Sequence, residues 1–313
     1  MPIDKWVKRT VPVYRAKRTM RTYRKKTSYR RRSAGRMRYR KRRGGMSTKR
    51  ILNVSSAKKR NGMLSWTNTT STGTSQNVAK GGTTVNASTG AFFVFCPTAQ
   101  NLTVSGVGPN NPVNNAQRTS QTCYMRGFSE NLRIQTSTSI PWFHRRVCFT
   151  IKSLSFQLGV ATGAVQPYKP YVDTVNGIER LWFNTLVNNM GSDVAGMQSI
   201  MFKGAIGQDW DDLIVAPLDP GRIDIKYDKT WTIKTGNSNG AVVERKMWHK
   251  MNKNLRYDDD EQGEGEVDAY FSTDSKLGMG DYYIVDIIQS GLGGTASDLM
   301  AINANSTLYW HEK

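Results

Sequence analysis

The densest set of side chains able to hold a cation runs from Asp258 through Asp259, Asp260 and Glu261 to Glu264, Glu266 and Asp268. A calcium loop of the EF-hand kind needs a glycine at its sixth position and a bidentate glutamate at its twelfth. Counted from Asp258, Gly263 is sixth, but Ala269 is twelfth. Without the closing glutamate the run reads as a solvated acidic loop at the end of a strand, with a contact to a basic surface of another subunit as the next alternative. Asp209, Asp211 and Asp212 around Trp210 have the residue type of nuclease carboxylates, yet nothing lies at metal-ligand spacing from them. A loop anchored by one tryptophan is the plainer account.

The three histidines, His144, His249 and His311, are neither paired nor set in a His-Glu-x-x-His pattern. There is no Gly-x-x-x-x-Gly-Lys-Ser/Thr loop for a nucleotide and no Gly-x-Ser-x-Gly elbow for acyl transfer. Metal hydrolysis thus has no visible scaffold, motor and hydrolase readings lack their core motifs, and no metal, cofactor or small-molecule substrate is expected from these residues. Cys96, Cys123 and Cys148 are isolated, odd in number and flanked by apolar or β-forming residues, which gives no disulfide framework or zinc spacing and suits a reducing compartment. No apolar run reaches the roughly 18 residues of a membrane span, and the N-terminus has no apolar core of a secretory signal.

The chemistry that stands out is electrostatic. Residues 1–60 carry twenty-four Lys and Arg against the single acid Asp4, whereas residues 61–313 carry twenty-one bases against twenty-three acids. A segment so charged, with no Leu before Leu52, cannot bury enough apolar surface to offset its ordering entropy, and it is expected to be disordered when alone. A polyanion compensates such charge best, because each neutralised phosphate releases condensed counterions. The expected phosphate contacts are Arg15, Lys17, Arg18, Arg21, Arg24, Lys25, Lys26, Arg30, Arg31, Arg32, Arg36, Arg38, Arg40, Lys41, Arg42 and Arg43. Tyr14, Tyr23, Tyr29 and Tyr39 are interleaved with them and add rings for base stacking.

The blocks Arg24-Lys25-Lys26, Arg30-Arg31-Arg32 and Arg40-Lys41-Arg42-Arg43, with Lys58-Lys59-Arg60, also read as nuclear import signals. These blocks leave too few apolar positions for the amphipathic helix of an organelle transit peptide. Outside the arm, Pro141-Trp142-Phe143-His144-Arg145-Arg146 mixes aromatics with cations. Trp142, His144, Arg145 and Arg146 are thus a possible second contact with nucleic acid or between subunits. The plainer reading makes Trp142 and Phe143 core anchors at the edge of a strand.

The elements that must carry these groups are strands. From about Met46 to Gly90 the chain is rich in Ser, Thr, Asn and Gly, and residues 61–90 read as a flexible linker. Apolar bursts of strand length follow: Phe92 to Phe95, Cys123 to Ile134, Val147 to Phe156 and Tyr282 to Ile288, with Thr307 to Trp310 as a closing strand. In Arg222 to Lys234, Ile223, Ile225, Tyr227, Trp231 and Ile233 alternate with polar residues, the period of a half-solvated antiparallel strand. The Gly236 to Gly240 stretch predicts a hairpin from this strand to Val242–Met251. A short helix is expected near Ser192 to Ile200. The fold class is all-β, a single jelly roll of two packed antiparallel sheets over 91–313, with a disordered basic N-terminal arm over 1–60.

Longer strings carry a resemblance. Tyr124 to Ile134 (YMRGFSENLRI), Pro141 to Arg146 (PWFHRR), Leu181 to Asn184 (LWFN) and Gly221 to Ile233 (GRIDIKYDKTWTI) resemble the capsid proteins of genomoviruses, which are small circular single-stranded DNA viruses. Asn252 to Glu261 is more distantly similar to geminivirus coat proteins. The resemblance spans about Cys123 to the C-terminus. It implies a jelly-roll subunit of a small icosahedral shell of sixty copies (T=1), an arm facing packaged single-stranded DNA, import by a host nuclear receptor, and residence in the virion and the host nucleus. It implies no enzyme activity and no membrane partner. Two other classes remain open on the residues alone: a host nucleic-acid protein of ribosomal or chromatin type with a basic tail, and a nuclease using the Asp209 or Asp258 groups.

Overall fold

In a computed structural model the chain is described over residues 46–104, 108–157 and 163–313. The expected disorder of the arm and its base-rich blocks up to Arg43 lie outside the described residues. In chain order the elements are α1 (Thr48–Ser55), β1 (Ala57–Met63), β2 (Ser65–Thr69), β3 (Ser75–Lys80), β4 (Thr83–Asn86), β5 (Ala91–Phe95), β6 (Thr103–Val104), β7 (Gly108–Pro109), β8 (Thr122–Thr136), β9 (Trp142–Ile151), β10 (Val172–Thr174) and β11 (Gly177–Trp182). There follow α2 (Gly191–Met201), β12 (Asp224–Ile233), β13 (Val242–Arg256), β14 (Asp260–Gln262), β15 (Gly265–Val267), β16 (Asp281–Ser290) and β17 (Leu299–Glu312). The fold is predominantly β, as the short apolar bursts predict.

The strands fall into three larger sheets instead of the two expected. One has the order β1-β17-β8-β13, with β4 also on β17; a second has β12-β9-β16-β5; a third has β10-β11-β2-β3, in which β11 runs parallel to β2. The pairs β14-β15 and β6-β7 form separate ribbons. The first two sheets pack face to face: Phe95 of β5 meets Phe128 of β8 at 5.9 Å, and Tyr227 of β12 meets His249 of β13 at 5.3 Å. The third sheet joins the second through a bridge between Phe93 and Asn184. β16 lies inside its sheet and its first eight residues are buried, which is why it reads as a nearly continuous apolar run.

Two boundaries differ from the expectation. The segment 61–90 is not a flexible linker but supplies the last three residues of β1 and all of β2, β3 and β4. Its hydroxyls bond one another inside the fold: Thr67 to Thr69 at 2.9 Å and Thr69 to Thr83 at 3.0 Å, with all three residues buried. Asn68 likewise donates to the Asn184 carbonyl and accepts from its N–H. A polar composition that looks like a linker is here a satisfied polar core. The arm boundary at residue 60 also moves, because Thr48–Lys313 forms one compact unit that includes Lys58, Lys59 and Arg60.

The predicted hairpin is also corrected. β12 pairs with β9 and β13 pairs with β8, so the Gly236 to Gly240 stretch crosses from one sheet to the other instead of closing a ladder. Gly240 passes so close to β8 that a Cβ would stand 1.9 Å from the Thr136 carbonyl oxygen. The next residue, Ala241, donates its N–H to Thr136 Oγ1 at 2.8 Å. Turn residues announce a change of direction, but not which sheet receives the chain.

Candidate nucleic-acid interface

The sixteen arm bases from Arg15 to Arg43 lie outside the described residues, as do the import blocks among them. The last block, Lys58-Lys59-Arg60, is strand. On β1 it runs opposite β17 in the register Lys58 with His311, Lys59 with Trp310 and Arg60 with Tyr309. Lys58 and Arg60 point to solvent, whereas Lys59 turns inward and pairs with Glu312 at 2.9 Å. Lys59 Nζ also donates to Thr119 Oγ1 and the Gln117 carbonyl. Burial pushes the Glu312 carboxyl up, but hydrogen bonds from Thr119, Trp310 and Lys59 outweigh it and hold the group below its ordinary value.

The 141–146 cluster is not an interface. Trp142, His144 and Arg146 have no exposed surface and Arg145 keeps 5 %, so none can reach nucleic acid or a second subunit. β9 lies inside its sheet between β12 and β16, and eight of its ten residues are buried, the pattern of a strand covered on both faces. Arg145 forms a bidentate pair with Asp228 and donates to the carbonyls of Leu213, Ile214 and Ala216, which fixes that loop.

Arg146 stands at the centre of a buried ion cluster where the three large sheets meet. Its Nε and Nη2 donate to Asp286 of β16 at 2.7 and 2.9 Å, and its Nη1 donates to Glu130 of β8. Arg180 of β11 completes the square, donating to Glu130 at 2.7 Å and to Asp286 at 3.1 Å while lying 3.8 Å over the Trp182 ring. Ser306 of β17 adds a further hydrogen bond to Glu130. Two buried cations thus face two buried anions, and nearly every lone pair has a donor.

The titration states follow from this arrangement. Burial alone would raise both carboxyls, but Arg146 and Arg180 bring Glu130 down to about 2, and Arg146 with His144 holds Asp286 well below its usual range. His144 accepts from Arg245 at Nδ1 and donates from Nε2 to Asp286, which defines a neutral ring, and burial lowers its pKa despite the carboxylate. Burial and Arg146 also lower His249, to about 4. All these groups are engaged with one another, so the cluster is a structural joint between sheets.

No family model matches this chain, and no curated protein matches it either.

The acidic groups resolve into local roles. Asp259 is buried against Arg118 in a bidentate pair of 2.6 and 3.0 Å, and Asp268 accepts from Thr103 at 2.6 Å. The neighbouring acids of the β14-β15 ribbon are exposed, in keeping with a solvated acidic hairpin. Asp209 and Asp212 accept backbone N–H groups of Ala205 and Ile214 within their own loop. Among the described residues no three His, Cys, Asp or Glu side chains form a group that could hold a metal ion. The three cysteines are free and buried, and burial raises each thiol, Cys148 to about 12.

No sequence motif marks the solvent side of the sheet β1-β17-β8-β13. Along β13 every second residue from Val242 to Lys250 is exposed: Val242, Glu244, Lys246, Trp248 and Lys250. That alternation was readable in the sequence, but it carries no familiar motif. Its meaning depends on which strands lie beside it.

Proposed function

We propose that this chain is the subunit of a viral shell that packages single-stranded DNA through its N-terminal segment. The observation that carries the reading is the partition of charge: nineteen of the forty-five bases and one acid precede Thr48, where the β-rich unit begins. A segment with a net charge of eighteen on an otherwise nearly balanced chain is suited to a polyanion, and counterion release makes that pairing favourable. Sixty such segments in a closed icosahedral shell bring about 1,100 positive charges to the interior. The likeness of the 124–134 and 221–233 strings to genomovirus capsid proteins supports the same reading.

In this reading the two face-to-face sheets are the halves of a jelly roll and the sheet β10-β11-β2-β3 is an addition to it. The blocks at Arg24, Arg30 and Arg40 engage a host import receptor before assembly and DNA phosphates after it, so the chain works in the nucleus and in the virion. Its role is structural, without a reaction. Negative-stain imaging of the full chain with circular single-stranded DNA tests this: uniform closed particles of roughly 2 MDa are expected. Monomers or small complexes under the same conditions would overturn it in favour of a host nucleic-acid protein.

A further inference from the structure

Four strands, β1, β17, β8 and β13, present one face to solvent, and that face is built in an unusual way around Gly127. In register across the sheet stand Arg60 on β1, Tyr309 on β17, Gly127 on β8 and Lys250 on β13. With no side chain at Gly127, Trp248 leans across the gap: a Cβ there would lie 2.7 Å from Cζ2 of its indole. The Trp248 and Tyr309 rings come to 5.7 Å across the intervening strand. Trp248 remains 51 % exposed, so a broad aromatic surface is held open to water.

The sheet is irregular at the same place. The β8-β13 register shifts between Lys250 and Lys253, and the β8-β17 register shifts between Tyr309 and Trp310. Asn252 adopts a left-handed φ of 51° in this bulge, and its Oδ1 accepts from Arg126 Nη1, which ties the guanidinium to the bulge. Bulges re-aim side chains in this manner at functional surfaces. Around the ring pair the face is strongly cationic: Lys58, Arg60, Arg126, Arg133, Lys246 and Lys250 point outward, and Glu244 is the one carboxylate these four strands turn to solvent.

We propose that this face is a second binding site for single-stranded DNA, with bases stacked on Trp248 and Tyr309 and phosphates held by Arg60, Arg126, Lys246 and Lys250. It rests on the reading that the chain packages single-stranded DNA, and it places a stacking site on the folded unit in addition to the charged segment. A stacking platform flanked by cations is how sheet surfaces hold unpaired bases, because every base offers a π-face. A duplex keeps its bases stacked inside and presents nothing to such rings. A second copy of the same face would set like charges against each other.

The test uses the full chain and a fluorescein-labelled oligothymidine, with a duplex of equal length as comparison, read by anisotropy over a range of salt. Replacing both rings, W248A with Y309A, is expected to lower single-strand affinity roughly fivefold or more and to leave duplex affinity unchanged. Trp248→Phe keeps a stacking ring and is expected to retain most of the affinity, which separates stacking from folding. Replacing Lys246 and Lys250 by Gln is expected to flatten the single-strand salt dependence by about 1.4 in slope. Equal single-strand binding by the wild type and the double-ring variant overturns the site. So does unchanged affinity with a changed oligomeric state, which would make the face a contact between copies. A wild type that binds no single-stranded DNA overturns the packaging reading itself, together with this site.

Discussion

Arg146 and Asp286 stand directly opposite each other on β9 and β16, joined by two hydrogen bonds of 2.7 and 2.9 Å, and neither side chain reaches solvent. The pair ties a strand whose apolar pattern reads as pure core to the one cation cluster that looks like a ligand site. Its energetic meaning follows from what removal of one partner leaves behind. Arg146→Met strands Glu130 and Asp286 as buried anions with only Arg180 between them, and the expected loss of stability is about 3–5 kcal/mol. Arg133→Gln on the exposed side of β8 should change stability by no more than about 0.5 kcal/mol. Urea unfolding of both variants checks the contrast, and a similar small loss in each would contradict the buried joint.

Two groups give opposite pH dependences. His249 is lowered to about 4 by burial and Arg146, so between that value and its unfolded value of about 6.5 the unfolded chain binds more protons and stability rises with pH. Asp281 is raised to about 7 by burial, against hydrogen bonds from Ser272, so the native state binds more protons and stability falls as pH climbs from about 4 to 7. Asp281→Asn removes the falling contribution. Its stability relative to wild type is expected to grow steadily across that window in denaturant titrations at stepped pH; a constant difference would contradict the assignment.

The folded unit begins before residue 60, and truncation can show it. Removing residues 1–47 leaves α1 and β1 intact and should preserve the unfolding midpoint. Removing residues 1–63 deletes the β1 ladder with β17 and leaves Glu312 without Lys59. That truncation is expected to lower stability by several kcal/mol or to abolish folding. Thermal unfolding of the two truncated chains, read by circular dichroism, distinguishes them, and equal midpoints would place the boundary after β1.

The base blocks are expected to serve transport and packaging in turn. Replacing Arg40, Lys41, Arg42 and Arg43 with Ala should weaken DNA binding and nuclear accumulation together, and should flatten the single-strand salt dependence by about 3 in slope. Nuclear levels equal to wild type in transfected cells would confine this block to packaging.

The sequence made strand positions legible where one physical rule dominated. The alternation in Arg222 to Lys234 became β12, the apolar run at Tyr282 became the covered strand β16, and the helix near Ser192 became α2. Pairing was not legible, because the Gly236 to Gly240 crossing and a hairpin turn share the same residues. The segment 61–90 misled through composition: Thr67, Thr69 and Thr83 satisfy one another inside the fold, which no count of polar residues can reveal. Likewise Arg146 and His144 look like nucleic-acid contacts until Glu130, Arg180 and Asp286, distant in sequence, are brought around them. The charge partition was legible throughout, and the pairing of exposed Trp248 with half-buried Tyr309 only once β8 placed Gly127 between them.

Confinement of the nucleic acid by the N-terminal cations is measured directly as nuclease-protected DNA per chain. Particles assembled from the full chain with circular single-stranded DNA are expected to protect at least fivefold more DNA than those of a chain lacking residues 1–47, at equal protein mass. Equal protection by the two chains would contradict it.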